Sequence, residues 1–438
     1  MSLVRPIQYS AALICLLLTI SAQAGDTHAA SQPGLQGSVL KLETAIEIAA
    51  KNNPGIAEVQ SRATAMAQIP SQVGSLPDPM IHLNAMNLPT DTFDLGQENM
   101  TQLQVGITQA FPYPGKLGLK EKAAEYMASA AGSKVTETRL MIVQKVKNVW
   151  WKLYFLDRAL EILARNHALL RQFVDIARTK YKVGQGLQQD VLLAQVELSK
   201  LLDREVQLNG KRRGLEAHLN ALMDRSVTNS IILPQKIDEK MPVIIAESEL
   251  LDMAGENRPI IAAQRSKVNA ARSKLKLAKK DYYPDFKLSA LYGSRQDTPS
   301  GRSRADFASV MLGIRVPLYA ARKQKKAVDQ RNSELNQQKF ALRDLESRVG
   351  EQISRFYAEF LRAREQSVLF KTGIIPQARQ TVASMLSGYQ VGKVDFLNLV
   401  RAQLTLYNYE TQYWKALSET WQALAKLVAA VGKENIYE

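Results

Sequence analysis

Few residues in this chain have the types and spacing that chemistry needs. The four histidines, His28, His82, His167 and His218, are scattered, with no His-x3-His or carboxylate spacing that would assemble a metal-ligand set. The one cysteine, Cys15, lies in an apolar N-terminal run, so a chain cut after that run has no thiol chemistry. Neither HExxH nor GxSxG occurs. Gly184-x-Gly186 lacks the third glycine of a nucleotide loop. Met80 and Met86 flank a candidate strand, where methionine reads as packing rather than as a soft-metal ligand. No catalytic residue, cofactor or metal site is expected. What remains is a pair of carboxylates, Asp190 and Asp395, each a few residues beyond a turn that the chain contains twice.

That turn reads YKVGQGLQQDVLLAQ from Tyr181 and YQVGKVDFLNLVRAQ from Tyr389, 208 residues on. The repetition extends well beyond it. NNPGIAEVQSR from Asn52 echoes NRPIIAAQRSK from Asn257. SLPDPMIHL from Ser75 echoes DYYPDFKLS from Asp281. QAFPYPG around Pro112 echoes IRVPLYA around Pro317. A near-constant offset through four landmarks indicates a duplicated unit of ~200 residues. The expected organisation is a first repeat at 25–222, a joining segment at 223–249 and a second repeat at 250–438.

Each repeat changes period along its length. Residues 54–75 are rich in Ala and Gln, as in a helix stopped by Pro77 and Pro79. MIHLNAMNL and TQLQVGITQAF then alternate, which predicts a β-hairpin over about 80–111 with strands of about ten residues. FKLSALY and DFASVMLGIRV predict its counterpart over about 285–317. Proline-poor stretches follow, predicting long helices over about 115–180 and 319–387, the second kinked near Pro376. At ~1.5 Å per residue the first would be ~100 Å long, too long for one globular core. Beyond each turn a heptad seam predicts helices at 187–222 and 395–432 in antiparallel coiled-coil packing. Leu187, Val191, Ala194, Leu198 and Leu201 open the first seam; Leu399, Ala402, Leu406 and Tyr409 open the second. The four tryptophans, Trp150, Trp151, Trp414 and Trp421, read as helix-packing residues.

Composition and charge narrow the class further. The chain has 438 residues and a formal charge of +15, but Lys and Arg are dispersed without an aromatic-interleaved basic stripe, so nucleic acid is not an expected partner. Residues 1–24 have the form of a secretory signal: Arg5, an apolar core from Ala11 to Ile20, and Ala22-Gln23-Ala24 as the cleavage site. No later run of ~18 apolar residues suggests a transmembrane helix, so entry into a membrane would need a closed β-barrel. Four strands cannot close one. Three chains would supply twelve, so the strand count points to a trimer.

These features together resemble the outer membrane factor family, the TolC-type channels of Gram-negative efflux and secretion systems. The resemblance rests on the duplicated halves, the LPDP and YYPD entries to the strands, the proline closing each hairpin, and YxxG followed by Ala-Gln. It implies a mainly helical fold with a small β part: a homotrimeric twelve-stranded barrel in the outer membrane, continued by a periplasmic α-helical barrel. It also implies partners, a periplasmic adaptor (membrane fusion protein) and an inner-membrane RND-type pump. LPDPMIHLNAMNLP and MTQLQVGITQAFPYPGK look closest to members serving heavy-metal cation pumps. By the same resemblance Val183, Gly184, Gln185, Val391, Gly392 and Lys393 are tips where the adaptor docks. Tyr389 is a gate residue. The family's two acidic gate positions are Asn398 and Arg401 here, which leaves Asp190 and Asp395 as neighbouring carboxylates; in a trimer each would form a ring of three, attracting cations and raising one another's pKa. The competing reading is a trimeric periplasmic or surface coiled coil with a purely structural role, which would not require amphipathic hairpins at equal positions in both halves.

Overall fold

A computed structural model describes residues 39–433 and 436–437. The signal-like segment, with Cys15 and His28, lies outside the described residues. Residues from Val39 onward form one compact unit that holds both repeats.

Proline and asparagine punctuate the entry to the first repeat. Helices α1 (Leu42–Asn52), α2 (Pro54–Ala67) and α3 (Ile69–Gly74) run in succession. The single helix expected over 54–75 is broken before Pro70, which sits in the first turn of α3 and lacks the N–H that would continue α2. Asn53 caps α2, accepting from the Gly55 N–H, and donates to the Leu222 carbonyl at 2.9 Å.

Strands β1 (Met80–Met86) and β2 (Gln102–Phe111) follow, then α4 (Lys116–Lys182). Strand β1 has 7 residues, shorter than expected; Asn87, at φ 54°, leaves the extended region and ends it. α4 has 67 residues, ~100 Å at the helical rise. After a tight turn, α5 (Gln188–Leu222) runs back along it. The joining segment lies along the helices through a parallel bridge between Val39 and Ile232 and an antiparallel one between Ile244 and Tyr437.

The second repeat contains α6 (Glu247–Asn257), α7 (Pro259–Lys280), β3 (Asp285–Ser294), β4 (Phe307–Arg315) and α8 (Gln324–Leu369). A π-helical turn, Phe370–Ile374, joins α8 to α9 (Ile375–Gln390), and α10 (Phe396–Val431) returns. The π turn ends two residues before Pro376, which lies in the first turn of α9. A proline has no N–H and crowds the carbonyl four residues back, so the helix widens by one residue there instead of ending. The expected kink takes that form. α8 begins at Gln324, later than Tyr319, because residues 318–323 turn without forming a helix.

Of the heptad positions, Ala194, Leu201, Leu208 and Leu219 on α5, and Leu399, Leu406, Ala416 and Leu427 on α10, are in the core. Val191, Leu198, Ala402 and Tyr409 are half-buried, and Leu187, at the turn, is exposed. Trp151 stacks on Trp421 at 5.1 Å, joining α4 to α10 across the two repeats.

All four strands form one antiparallel sheet in chain order, and β2 pairs with β3 across the repeats. The registers stack like with like. Ile81, Ile107, Ala290 and Val310 form one row, and Leu83, Val105, Tyr292 and Ala308 the next. That face is apolar and exposed: Leu83 is 79% and Val310 78% accessible. On the other face His82 Nε2 lies 3.0 Å from Thr108 Oγ1, which lies 2.8 Å from Ser289 Oγ. Strands β1 and β4 are both free edges. The sheet is thus a two-faced segment with two open sides, at the end of the long helices opposite the turns.

Candidate gate and docking tips

The two turns are built alike. In the first, the Gln185 N–H donates to the Lys180 carbonyl at 2.8 Å and the Gly184 N–H to Tyr181 at 3.1 Å. In the second, Lys393 donates to Gly388 at 2.9 Å and Gly392 to Tyr389 at 3.1 Å. Gly184 and Gly392 have φ of 73° and 74°, the left-handed region that closes a helix with this bonding pattern. Nothing lies within 4 Å of a Cβ added at either glycine. An added Cβ at either site would therefore strain the backbone while meeting no neighbour. Val183 and Val391, 63% and 69% accessible, project as apolar points, and Gln185 and Lys393 are exposed beside them.

The turns differ at one contact. A Cβ at Gly186 would sit 2.9 Å from Lys180 Cβ, and one at Gly388 would sit 2.6 Å from Val394 Cγ2. Lys180 and Gly388 occupy the same position of the repeat, as do Gly186 and Val394. Each turn has room for one side chain at this crossing, and the two repeats fill it from opposite ends.

That exchange puts Lys180 beside the second repeat. Its Nζ donates to the Tyr389 carbonyl at 2.5 Å and lies 4.4 Å from the Tyr389 ring centroid. Tyr389 is buried against Phe396, with centroids 5.2 Å apart, and its hydroxyl has no partner among the described residues. Burial, then the charge of Asp190, raises the Tyr389 pKa. Partial burial likewise pushes Asp190 above the usual carboxylate range; a backbone hydrogen bond at Leu187 opposes this and the Asp395 charge adds to it. Asp395 is the N-cap residue of α10 but makes no capping bond with its side chain.

The structure therefore groups Tyr389, Asp190 and Asp395, and adds Lys180, which sequence reasoning missed. The available signal was the cation at Lys180 where the other turn has Gly388. Asn398 and Arg401 are exposed on α10, without side-chain hydrogen bonds or ion pairs among the described residues. Farther along the helices from the turns, Gln403 of the Ala-Gln pair donates to Asn166 at 2.8 Å, a buried polar tie between α10 and α4.

No group of three or more His, Cys, Asp or Glu residues arranged to hold a metal occurs among the described residues, and no described helix is long and apolar enough to cross a membrane. His82 is engaged with Thr108, and His167 Nε2 is buried without a partner among the described residues. Met80 is exposed, and Met86 Sδ accepts from the amide of Gln104 at 3.1 Å, so neither packs in a core as expected.

Comparison with known proteins supplies the wider setting. Residues 250–433 match the family model described as outer membrane efflux protein. The cobalt-zinc-cadmium resistance protein CzcC of Cupriavidus metallidurans is 25% identical over 195 residues, 42% of this chain and 43% of that protein, so the match spans less than half of either. The outer membrane efflux protein BepC of Brucella suis is 24% identical over 358 residues, 81% of this chain and 71% of that protein. The fold is shared with the outer membrane protein VceC of Vibrio cholerae: TM-score 0.76 at 18% identity, covering 90% of this chain and 96% of that one.

Proposed function

We propose, from the match of residues 250–433 to the outer membrane efflux protein family model, that this chain is a passive exit duct of the outer membrane. It has no energy source of its own; an inner-membrane RND-type pump drives transport, joined to the duct by a periplasmic adaptor. The observation that carries the reading is the two-faced sheet with open edges at one end of ~100 Å helices. An exposed apolar face suits lipid, and unpaired β1 and β4 edges are not tolerated there. β1 and β4 run antiparallel, so β4 of one copy can pair with β1 of the next. Three copies close a twelve-stranded barrel, within the range of bacterial barrels.

The tips then form a ring of six similar turns at the far end, three copies with two turns each. Val183, Gly184 and Gln185, and Val391, Gly392 and Lys393, are the adaptor's docking points. Tyr389, with Lys180, Asp190 and Asp395, is the gate. The likeness to a cobalt-zinc-cadmium resistance protein favours metal cations as cargo. The structural coiled-coil reading fares worse, since a fibre has no use for an exposed apolar β face.

The test is direct. The full chain extracted in detergent should have the mass of a trimer, and its insertion into planar bilayers should give discrete conductance. A monomeric or dimeric mass with no conductance would sink the proposal.

A further inference from the structure

The membrane end of the helices is unevenly charged. Four helices leave the sheet: α3, α4, α7 and α8. Met66 and Val73 from α2–α3, Met127, Leu277 and Ala327 converge on one groove of about 530 Å³, which fixes one side of this helical layer. At about 100° per residue, Lys122, Lys276, Lys279 and Lys325 lie on the side opposite the groove. All four are exposed, and none makes an ion pair among the described residues. Each stands within about 10 Å of the membrane end of its helix by the helical rise, roughly one Debye length. Glu125 and Asp329 share that side, and Arg272 adds a further cation lower down. The loops at the other end of the sheet carry five carboxylates against three arginines, so the excess of cations belongs to this end only. Between the cations and the strands stand Tyr282 and Tyr319, 40% and 77% accessible, the residue type enriched at membrane interfaces.

We propose that Lys122, Lys276, Lys279 and Lys325 form a collar that binds the phosphate headgroups of anionic phospholipid in the periplasmic leaflet. The inference rests on the barrel reading above. The collar holds the tunnel upright under the barrel: twelve unpaired ammonium groups per trimer face headgroups whose charge is opposite, at a depth fixed by the strand ends. Attraction of this kind is additive over several lysines near an anionic surface.

The probe is phosphatidylglycerol, with phosphatidylcholine as the neutral control. The full-length protein, extracted in non-ionic detergent, is titrated with each lipid and bound lipid is counted by native mass spectrometry. Phosphatidylglycerol should bind the parent about tenfold or more tightly than phosphatidylcholine, as several lysines acting together require. K122Q/K276Q/K279Q/K325Q should keep the parent's oligomeric mass and lose that preference. An equal preference in parent and variant overturns the collar. So does complete displacement of the lipid by inorganic phosphate, which would mark a free-anion site, or loss in the variant of binding to cell-wall sacculi with lipid preference unchanged. Failure of the parent to enter vesicles of either lipid would instead overturn the barrel reading, and the collar with it.

Discussion

The ammonium of Lys180 lies 4.4 Å from the ring centroid of Tyr389 and donates to that residue's carbonyl, joining the end of the first repeat's long helix to the end of the second's. The two residues are 209 positions apart, and the contact exists because Gly186 leaves room for Lys180 where the other turn has Val394. Lys180→Met should loosen the tip by about 1–2 kcal/mol, the sum of a cation–π contact and a charged hydrogen bond at a partly exposed site. Tyr389→Leu should do the same. Tyr389→Phe should be nearly silent, because the hydroxyl has no partner among the described residues. Single-channel conductance reads all three; a strong effect of the Phe variant would show that the hydroxyl acts across a neighbouring copy.

Tip opening should also depend on pH. Asp190 is raised above its ordinary value by burial, with Asp395 adding to it. In an open tip the carboxyl is solvated and titrates near ~3.9. The closed tip binds the proton more tightly, so its stabilisation is complete below that value and is lost as pH rises through the raised value. Conductance should therefore fall as the solution is acidified from neutral toward pH ~4, and Asp190→Asn should flatten the profile. A variant that titrates like the parent removes Asp190 from the gate.

If the chain is the duct proposed above, Gly184→Val with Gly392→Val should leave membrane assembly intact and abolish export. Each substitution costs about 1–3 kcal/mol of left-handed backbone strain at a position with open space around it. Asn, which tolerates this conformation better, should be milder at both sites. Crosslinks from positions 185 and 393 should capture the adaptor in the parent and fail in the valine variant. Export at the parental rate with crosslinks retained would reduce the glycines to helix caps.

On the sheet, Val105→Arg or Leu312→Arg should impair membrane assembly by roughly 2–4 kcal/mol, since both lie on the apolar face. Thr108→Arg, on the polar face, should assemble normally. Heat-resistant oligomer in membrane fractions is the measurement; the opposite order would mean that the faces are exchanged.

Glu137 and Arg258 form a buried ion pair at 2.8 Å, each side chain only 6% accessible. Glu137→Ala should cost about 3–5 kcal/mol, because a buried guanidinium is left unpaired. Glu137→Leu with Arg258→Met should recover most of it. Thermal unfolding of the single and double variants decides; equal losses in both would place the cost in packing.

The sequence determined whatever depends on local chemistry and period. Alternation in TQLQVGITQAF set the two faces of β2, the proline-poor run before Lys180 set the length of α4, and the paired glycines set both turns. Those signals are carried by residues close together in the chain, where backbone sterics and side-chain spacing act directly. The break before Pro70 was legible too, but the Ala- and Gln-rich composition around it concealed it. Tertiary structure decided what lies between the repeats. Asn53 and Arg258 hold equivalent positions, yet one caps its own helix and the other reaches 121 residues back to Glu137. Lys180 reaches Tyr389, Gln403 reaches Asn166, and Trp151 stacks on Trp421. Each such partner is selected by how long helices pack against one another, a property of two surfaces that no window of the sequence contains.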